Sequence, residues 1–337
     1  MKVTVLTTSW PQHPSDPGGA FVYRSCEALR DRGAELTIHP LESGLAMNNA
    51  WVQPLGMSLD DQVGGLLSRI ARKPNLLLPI LGRLLRRYST WTQADRVVSH
   101  WAVPFPFLAQ AQGVPVDRLR TWCHGSGLRL PGASWMLGRA HPLALVCEHQ
   151  RVQVPKRFGS ELPVIPVPID GILEPRRQPT KQLIFVGRLV RQKGPDLLPL
   201  ILDHLPGWNA VVVGDGPLRG QLEADDRITC LGALAPTVWR QQVGGGVGVC
   251  PARSSEGSPL VIDELRLAGL PVVVASVDGL VQRVEDGVNG WIVGRRFPQD
   301  WAAAIASAYA STTWSQSSAN ERAHPQAWNG FADWVLS

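Results

Sequence analysis

Cysteine patterns and long apolar runs are what this chain most plainly lacks. Only five of its 337 residues are cysteine, at positions 26, 123, 147, 230 and 250. The count is odd, no C-x-x-C occurs and no spacing suits zinc, so a disulfide scaffold and a zinc module are both disfavoured. Reduced thiols in the cytoplasm are expected. No apolar run approaches the roughly 20 residues needed to span a bilayer. The N-terminal M-K-V-T-V-L-T-T-S-W is short and β-rich, without the longer apolar core of a signal peptide. No tandem repeat and no G-x-S-x-G elbow is present. Charged residues make up 18% and hydrophobic residues 44%, the balance of an ordinary globular protein rather than a disordered one. At 337 residues the chain is long enough for two domains.

One local absence stands out. No acid occurs between Asp61 and Asp95, whereas residues 66–88 carry six positive charges. Arg83, Arg86 and Arg87 share a helix face there. Two readings stand side by side: a basic amphipathic patch making peripheral contact with anionic lipid on the inner face of the membrane, or a solvated face over a core helix. The net charge of +5 suits an anionic ligand or a membrane surface and gives no footing for nucleic-acid recognition.

Along the chain, strand patterns alternate with helix patterns. Val3–Thr7 reads as a strand, a Gly18-Gly19 turn precedes a helix over Ala20–Arg32, and Glu35–Pro40 is the next strand. Arg96–His100, Leu119–Cys123, Leu143–Cys147 and Leu162–Val167 continue the series. Residues 166–181, rich in proline and charge, read as a linker. A second series begins at Gln182, with strands at Ala210–Val213, Ile228–Leu231, Gly246–Cys250, Pro271–Ala275 and Gly290–Val293. This alternation predicts an α/β chain with two Rossmann-like parallel-sheet domains facing a central cleft.

The stretch S-S-E-G-S-P-L-V-I-D-E, Ser254–Glu264, places two carboxylates eight positions apart around a helix start. Ser258 suits an N-cap, Pro259 the first helical position and Gly269 the C-terminal cap. A helix end there would attract phosphate. Glu264 would then lie roughly 8–9 Å along the axis at 1.5 Å per residue. Carboxylates accept two hydrogen bonds at once from vicinal sugar hydroxyls. The spacing by itself is weak; its surroundings carry the information.

R-S-S-E-G-S-P-L-V-I-D-E-L-R-L-A-G-L-P-V-V-V-A resembles the E-x7-E signature of retaining family-4 glycosyltransferases of GT-B fold. F-V-G-R-L-V-R-Q-K-G (Phe185–Gly194) is similar to that family's diphosphate-binding loop, V-V-V-G-D-G-P-L-R (Val211–Arg219) to its nucleotide-side loop, and V-E-D-G-V-N-G-W-I-V (Val284–Val293) to its closing segment. S-W-P…G-G-A-F-V, S-H-W-A-V-P and C-H-G-S-G match more loosely in the first half. The resemblance implies catalytic roles for Glu256 and His124 at the transferred sugar, and for Arg188 and Lys193 as cations on the donor diphosphate. It implies donor contacts from Gly18, Gly19, Gly187, Gly214, Gly257, Ser258, Pro259, Leu260 and Glu264, the last on the ribose. Cys123 is expected in the core.

What the resemblance implies is a metal-independent hexosyltransferase without a cofactor. It would move a sugar from a UDP- or GDP-type donor to a saccharide or lipid-linked acceptor, in polysaccharide or glycolipid biosynthesis. Residues 1–168 would hold the acceptor, with a crossover helix from about 315–337 packing back on them, and 169–314 the donor. No D-x-D triplet occurs, which disfavours the metal-held donor of GT-A enzymes. The chain departs from the family at Asp278 and Gln282, where a Pro-Glu pair and an acid are usual, and at Arg266. A non-catalytic nucleotide-sugar-binding protein and a sugar-nucleotide epimerase stay open. G-D-G-P-L-R-G, Gly214–Gly220, follows a strand like a dinucleotide fingerprint, but the next strand ends at Gly232 rather than at an acid.

Overall fold

The computed structural model describes residues 1–11, 19–40, 52, 89–124, 128, 142–158, 161–169, 171–178, 180–254, 256–294, 297–316, 323 and 326–337. The chain divides into two compact units, Met1–Val167 with Gln326–Ser337, and Pro168–Pro325. Gly18 and the basic run 66–88, with Arg83, Arg86 and Arg87, lie outside the described residues.

In the first unit β1 (Lys2–Thr7) leads to α1 (Ala20–Asp31), β2 (Glu35–Pro40), β3 (Arg96–Ser99), α2 (Phe105–Ala111), β4 (Leu119–Cys123) and β5 (Leu143–Leu145). The strands form a five-stranded parallel sheet in the order β2-β1-β3-β4-β5. Every residue of β4 is buried, as in a parallel strand covered on both faces. Helix α1 buries Val22, Ser25, Cys26 and Leu29, the i, i+3, i+4, i+7 stripe of an amphipathic helix. The C-terminal helix, Asn329–Leu336, belongs to this unit. Phe331 packs on Trp122 with ring centroids 4.4 Å apart, and Arg120 donates to the Trp334 carbonyl at 3.2 Å.

The expected strand at Leu162–Val167 is not formed. Only a single parallel bridge, Leu145↔Val164, stands there. Pro163 and Pro166 lack the N–H groups a ladder needs, which limits pairing to one residue.

The second unit contains β6 (Gln182–Val186), α3 (Leu198–Leu202), β7 (Asn209–Val213), α4 (Arg219–Glu223), β8 (Ile228–Gly232), α5 (Pro236–Gln242), β9 (Val247–Cys250), α6 (Leu260–Leu267), β10 (Val272–Ala275), β11 (Trp291–Val293) and α7 (Pro298–Ala310). Its six-stranded sheet runs β11-β10-β9-β6-β7-β8, all parallel. The order reverses between β6 and β9, and open sheets of this kind bind ligands at the C-terminal ends of the strands flanking that reversal. The core joins Ile184, Val212, Val249, Leu265 and Val273 under Trp239 and Trp301.

The second unit continues past residue 314, where the crossover was expected to begin. The Gln316 amide donates to the carbonyls of Glu174 (3.1 Å) and Arg266 (2.6 Å), and Arg176 lies over the Trp314 ring. These contacts hold the segment on the second unit, and the chain passes to the first only at Gln326.

Candidate active site

In the second unit, loops leave the C-terminal ends of β6, β7, β9 and β10 side by side. The loop after β6 holds Gly187, Arg188 and Lys193; the loop after β9 holds Glu256, Gly257, Ser258 and Pro259. Arg253 ties the two together. Its N–H donates to the Gln192 carbonyl at 2.9 Å, and its guanidinium donates to the Arg191 carbonyl at 2.8 Å and to both oxygens of Asp196, one of them at 2.8 Å. A fork of this geometry fixes position as well as adding energy. The Glu256 N–H donates to the Asp278 carbonyl at 2.9 Å, which adds the loop after β10.

This bracing brings Lys193 and Glu256 together across 63 residues. Lys193 Nζ donates to Glu256 Oε2 at 2.7 Å, with side chains 24% and 12% exposed. The other carboxylate oxygen, Oε1, and Ser258 Oγ are buried without a hydrogen-bond partner among the described residues. Buried acceptors left open in this way are uncommon and call for an explanation. Arg188 projects from the same loop, exposed and with no side-chain partner among the described residues. One buried carboxylate, an ammonium and a nearby guanidinium can serve a ligand that is both anionic and rich in hydroxyls.

Gly187 and Gly214 end adjacent strands, with Gly187 donating to the Val213 carbonyl at 2.9 Å and Gly214 to the Gly232 carbonyl at 2.7 Å. The helix after Glu256 begins later than the sequence suggests. Helix α6 starts at Leu260, Pro259 takes the N-cap position, and no side chain caps it. Ser258 therefore does not cap the helix, because the extended backbone at Pro259 puts the first turn beyond its reach. Glu264 lies four residues into α6, about 6 Å at 1.5 Å per residue, rather than 8–9 Å. At the far end Gly269, in the left-handed region, and Leu270 donate to the carbonyls of Arg266 (2.9 Å) and Leu265 (3.1 Å), a Schellman cap.

The departures noted at Arg266 and Gln282 have structural partners. Arg266 is wholly buried; it donates to the Asn289 carbonyl and side chain at 2.8 Å each and to the Arg283 carbonyl at 3.0 Å. Arg283 pairs with Asp263 at 2.8 Å. Gln282 Oε1 accepts from the Gly279 N–H in the loop beside Glu256.

In the first unit, His124 follows β4 and His100 follows β3. His124 Nε2 lies 3.3 Å from His100 Nδ1, and His100 Nε2 lies 3.1 Å from Ser25 Oγ on α1. Phe21, Trp101 and Trp122 surround His124 with ring centroids 4.7, 5.0 and 4.8 Å away. Burial holds the His100 pKa down at about 3, and burial with the neighbouring His100 holds His124 well below the usual imidazole range. Both rings are neutral near pH 7. Cys123 is buried, and burial pushes its thiol up, as befits a core residue rather than a nucleophile. Gly19 takes the N-cap position of α1 in the left-handed region. A Cβ there would come within 2.8 Å of the Trp10 backbone nitrogen, so only glycine allows the loop after β1 to fold so closely on itself.

The resemblance gives a role to His124 but to neither His100 nor Ser25. A usable signal existed: each histidine follows the end of a neighbouring parallel strand, which places the two side by side.

Solved structures share this architecture from end to end. The Anabaena protein HepE, solved in complex with UDP and glucose, superposes with a TM-score of 0.71 at 20% identity, covering 100% of this chain and 99% of that one. The apo lipopolysaccharide outer core galactosyltransferase WaaB does so with a TM-score of 0.71 at 15% identity, covering both chains completely. At these identities the likeness is one of fold, and the fold is GT-B: two parallel-sheet α/β domains.

A family model described as "Glycosyl transferases group 1" matches residues 180–311, the stretch that contains the whole six-stranded sheet. The D-inositol 3-phosphate glycosyltransferase of Mycobacterium marinum is 30% identical over 179 residues, 48% of this chain and 38% of that protein. The chain spans only 31–57% of the length of such curated relatives.

Proposed function

We propose that this chain is a glycosyltransferase that moves a sugar from a nucleoside-diphosphate sugar to an acceptor hydroxyl with retention of configuration. The observation that carries the reading is the Lys193–Glu256 pair at the β6/β9 reversal, with Glu256 Oε1 and Ser258 Oγ buried and unpartnered beside it. A ligand bringing hydroxyl donors to the carboxylate and phosphate oxygens to the ammonium would satisfy every group there. The group 1 model over residues 180–311 and the similarity to named glycosyltransferases support the same class. HepE was solved with UDP and glucose, which makes UDP-glucose the first donor to try.

In the proposed chemistry the bond from the anomeric carbon to the leaving diphosphate oxygen breaks. The acceptor oxygen bonds to the same face of that carbon, and its proton passes to the departing phosphate. Arg188 and Lys193 neutralise charge growing on the diphosphate, a task worth most where the groups are fixed in advance. The N–H groups at the start of α6 add to that field. Glu256 holds hydroxyls of the transferred sugar, Glu264 the ribose, and Gly187, Gly214, Gly257 and Leu260 lie along the nucleotide. The resemblance assigns Gly19 to the donor phosphate and His124 to the transferred sugar. With two cations in place no metal is required. The acceptor is a saccharide or a lipid-linked hydroxyl.

Glu256→Ala tests the assignment. Transfer should fall by about 10²-fold or more, the range for loss of a transition-state contact, while nucleotide affinity by calorimetry changes little. Equal loss of both would reassign Glu256 to nucleotide binding. A wild-type protein that binds UDP-glucose yet never releases nucleotide from it would be a binding protein instead, and interconversion of the sugar without acceptor would make it an epimerase.

A further inference from the structure

On the reading above, in which His124 meets the transferred sugar, we infer that Ser25 and His100 form a tautomer lock: they hold the His124 ring proton on Nε2 and present its Nδ1 lone pair as a hydrogen-bond acceptor for a ligand hydroxyl. Ser25 and His100 are positioning residues in this scheme, and His124 is the group that touches the ligand.

The lock follows from counting protons along one chain of contacts. Ser25 Oγ lies 2.7 Å from the Val22 carbonyl oxygen and 3.1 Å from His100 Nε2. The carbonyl can only accept. Two oxygens 2.7 Å apart repel unless a proton lies between them, so the single hydroxyl proton goes to Val22. Ser25 Oγ is then the acceptor, and His100 Nε2 carries a proton. Ser25 and His100 are both fully buried, and burial keeps His100 neutral. A neutral imidazole has one N–H, so His100 Nδ1 is a bare lone pair. It faces His124 Nε2 at 3.3 Å. Two lone pairs would repel there, so His124 Nε2 bears the proton. His124 is neutral as well, which leaves its Nδ1 as an acceptor. The two rings lie 6° from parallel with centroids 5.5 Å apart, too far for face-to-face stacking, so their contact is through the ring edges.

The consequence is selectivity of a chemical kind. His124 Nδ1 can receive an O–H but cannot donate to a phosphate or carboxylate. The aromatic rings of Phe21, Trp101 and Trp122 around it oppose charging the ring to gain a second donor. The first unit therefore offers the donor sugar one hydroxyl acceptor at this place.

Nitrogen-15 NMR of the histidine side chains reads the tautomers directly on the resting protein, with assignments from His100→Gln and His124→Gln. Both rings should show a protonated Nε2 and a bare Nδ1 at pH 7. A dominant Nδ1–H form of His124 would overturn the lock. In Ser25→Ala the anchor is lost, and His124 should shift toward a mixture of tautomers, with kcat down roughly 3–10-fold and nucleotide affinity unchanged. An unchanged spectrum in that variant would also overturn the lock. Should Ser25→Ala fold poorly, the wild-type spectrum alone decides. Because the spectrum needs no substrate, a locked His124 in a protein that transfers no sugar would reject the proposed function and leave the lock standing.

Discussion

The two units use the same kind of sheet and offer opposite electrostatics at its C-terminal edge. In the first, the strand order reverses between β1 and β3, and the groups gathered nearby are neutral: His124, His100 and Ser25, ringed by Phe21, Trp101 and Trp122. In the second, the reversal lies between β6 and β9, and the groups are charged: Lys193 on Glu256, with the exposed Arg188 on the same loop and Arg253 on Asp196. Topology alone does not dictate this division, since either edge could carry either set. A neutral, aromatic-lined acceptor suits the apolar and hydroxyl faces of a sugar. A fixed cation–carboxylate pair suits a ligand with diphosphate at one end and hydroxyls at the other. On the proposed function, the difference would turn a shared architecture into a division of labour.

The largest expected effect tests that division. Lys193→Ala removes the ammonium proposed to meet the diphosphate and strands the Glu256 carboxylate in a site where it is only 12% exposed. Its kcat should fall by about 10²–10³-fold, the usual cost of losing a preorganised group on a developing charge. His124→Asn, which keeps a polar side chain but loses the imidazole, should cost about tenfold, the effect of one misplaced hydrogen bond of about 1.4 kcal/mol. Steady-state kinetics with one donor and acceptor would compare them. A larger loss at His124 than at Lys193 would reverse the assigned roles.

Much of this arrangement was open to sequence reasoning, and the reason differs from part to part. The strands of the second unit announce themselves as short apolar runs such as Leu183–Val186 and Val272–Ala275, because a parallel sheet covered on both faces admits little else. Arg188, Lys193, Glu256 and His124 were reached through motif resemblance, not geometry. Nothing in the spacing of Lys193 and Glu256 says that they touch; the contact depends on Arg253 bridging two loops. Helix α6 starts one residue later than the pattern suggests because Ser258 and Pro259 form a good capping pair on paper, while the extended backbone at Pro259 postpones the first turn. Leu162–Val167 carries strand-like residues between prolines that forbid a ladder. Arg266 looked out of place because its partners, Asn289 and Arg283, come from sequence far beyond the helix. Ser25 was invisible, since a serine inside an amphipathic stripe gives no sign that its hydroxyl serves a histidine 75 residues away.

A smaller effect sharpens the contrast from the side of the charged edge. Gly279 has φ +86°, and a Cβ there would come within 2.0 Å of the Glu256 carbonyl oxygen, a backbone atom that cannot swing aside. Its N–H donates to Gln282 Oε1, which further fixes the backbone at this position. Gly279→Ala should cost about 2–4 kcal/mol of stability from combined backbone strain and overlap. It should also displace Glu256, so that transfer drops more than nucleotide affinity does. Thermal melts and calorimetry would check this. A variant as stable and as active as the parent would show that the loop after β10 does not position Glu256.

The smallest effect separates the units by pH. His100 has a folded pKa of about 3 against an ordinary value near 6.5, and His124 is lowered in the same direction. Below pH 6.5 the unfolded chain takes up protons that the folded first unit refuses. Its stability is therefore complete above about pH 6.5 and is lost as pH falls toward 3, at up to about 1.4 kcal/mol per pH unit for each histidine. In the second unit the sign is opposite at Asp263, whose carboxyl is raised by burial and is more easily protonated when folded. Acid should thus open the first unit before the second. Amide hydrogen exchange at pH 7 and pH 5 should show protection falling in β4 while β9 holds. His100→Gln should flatten the pH dependence in the first unit alone. Equal loss of protection in both sheets, or a His100→Gln variant with the parent's slope, would mean that the neutral edge is not what acid attacks.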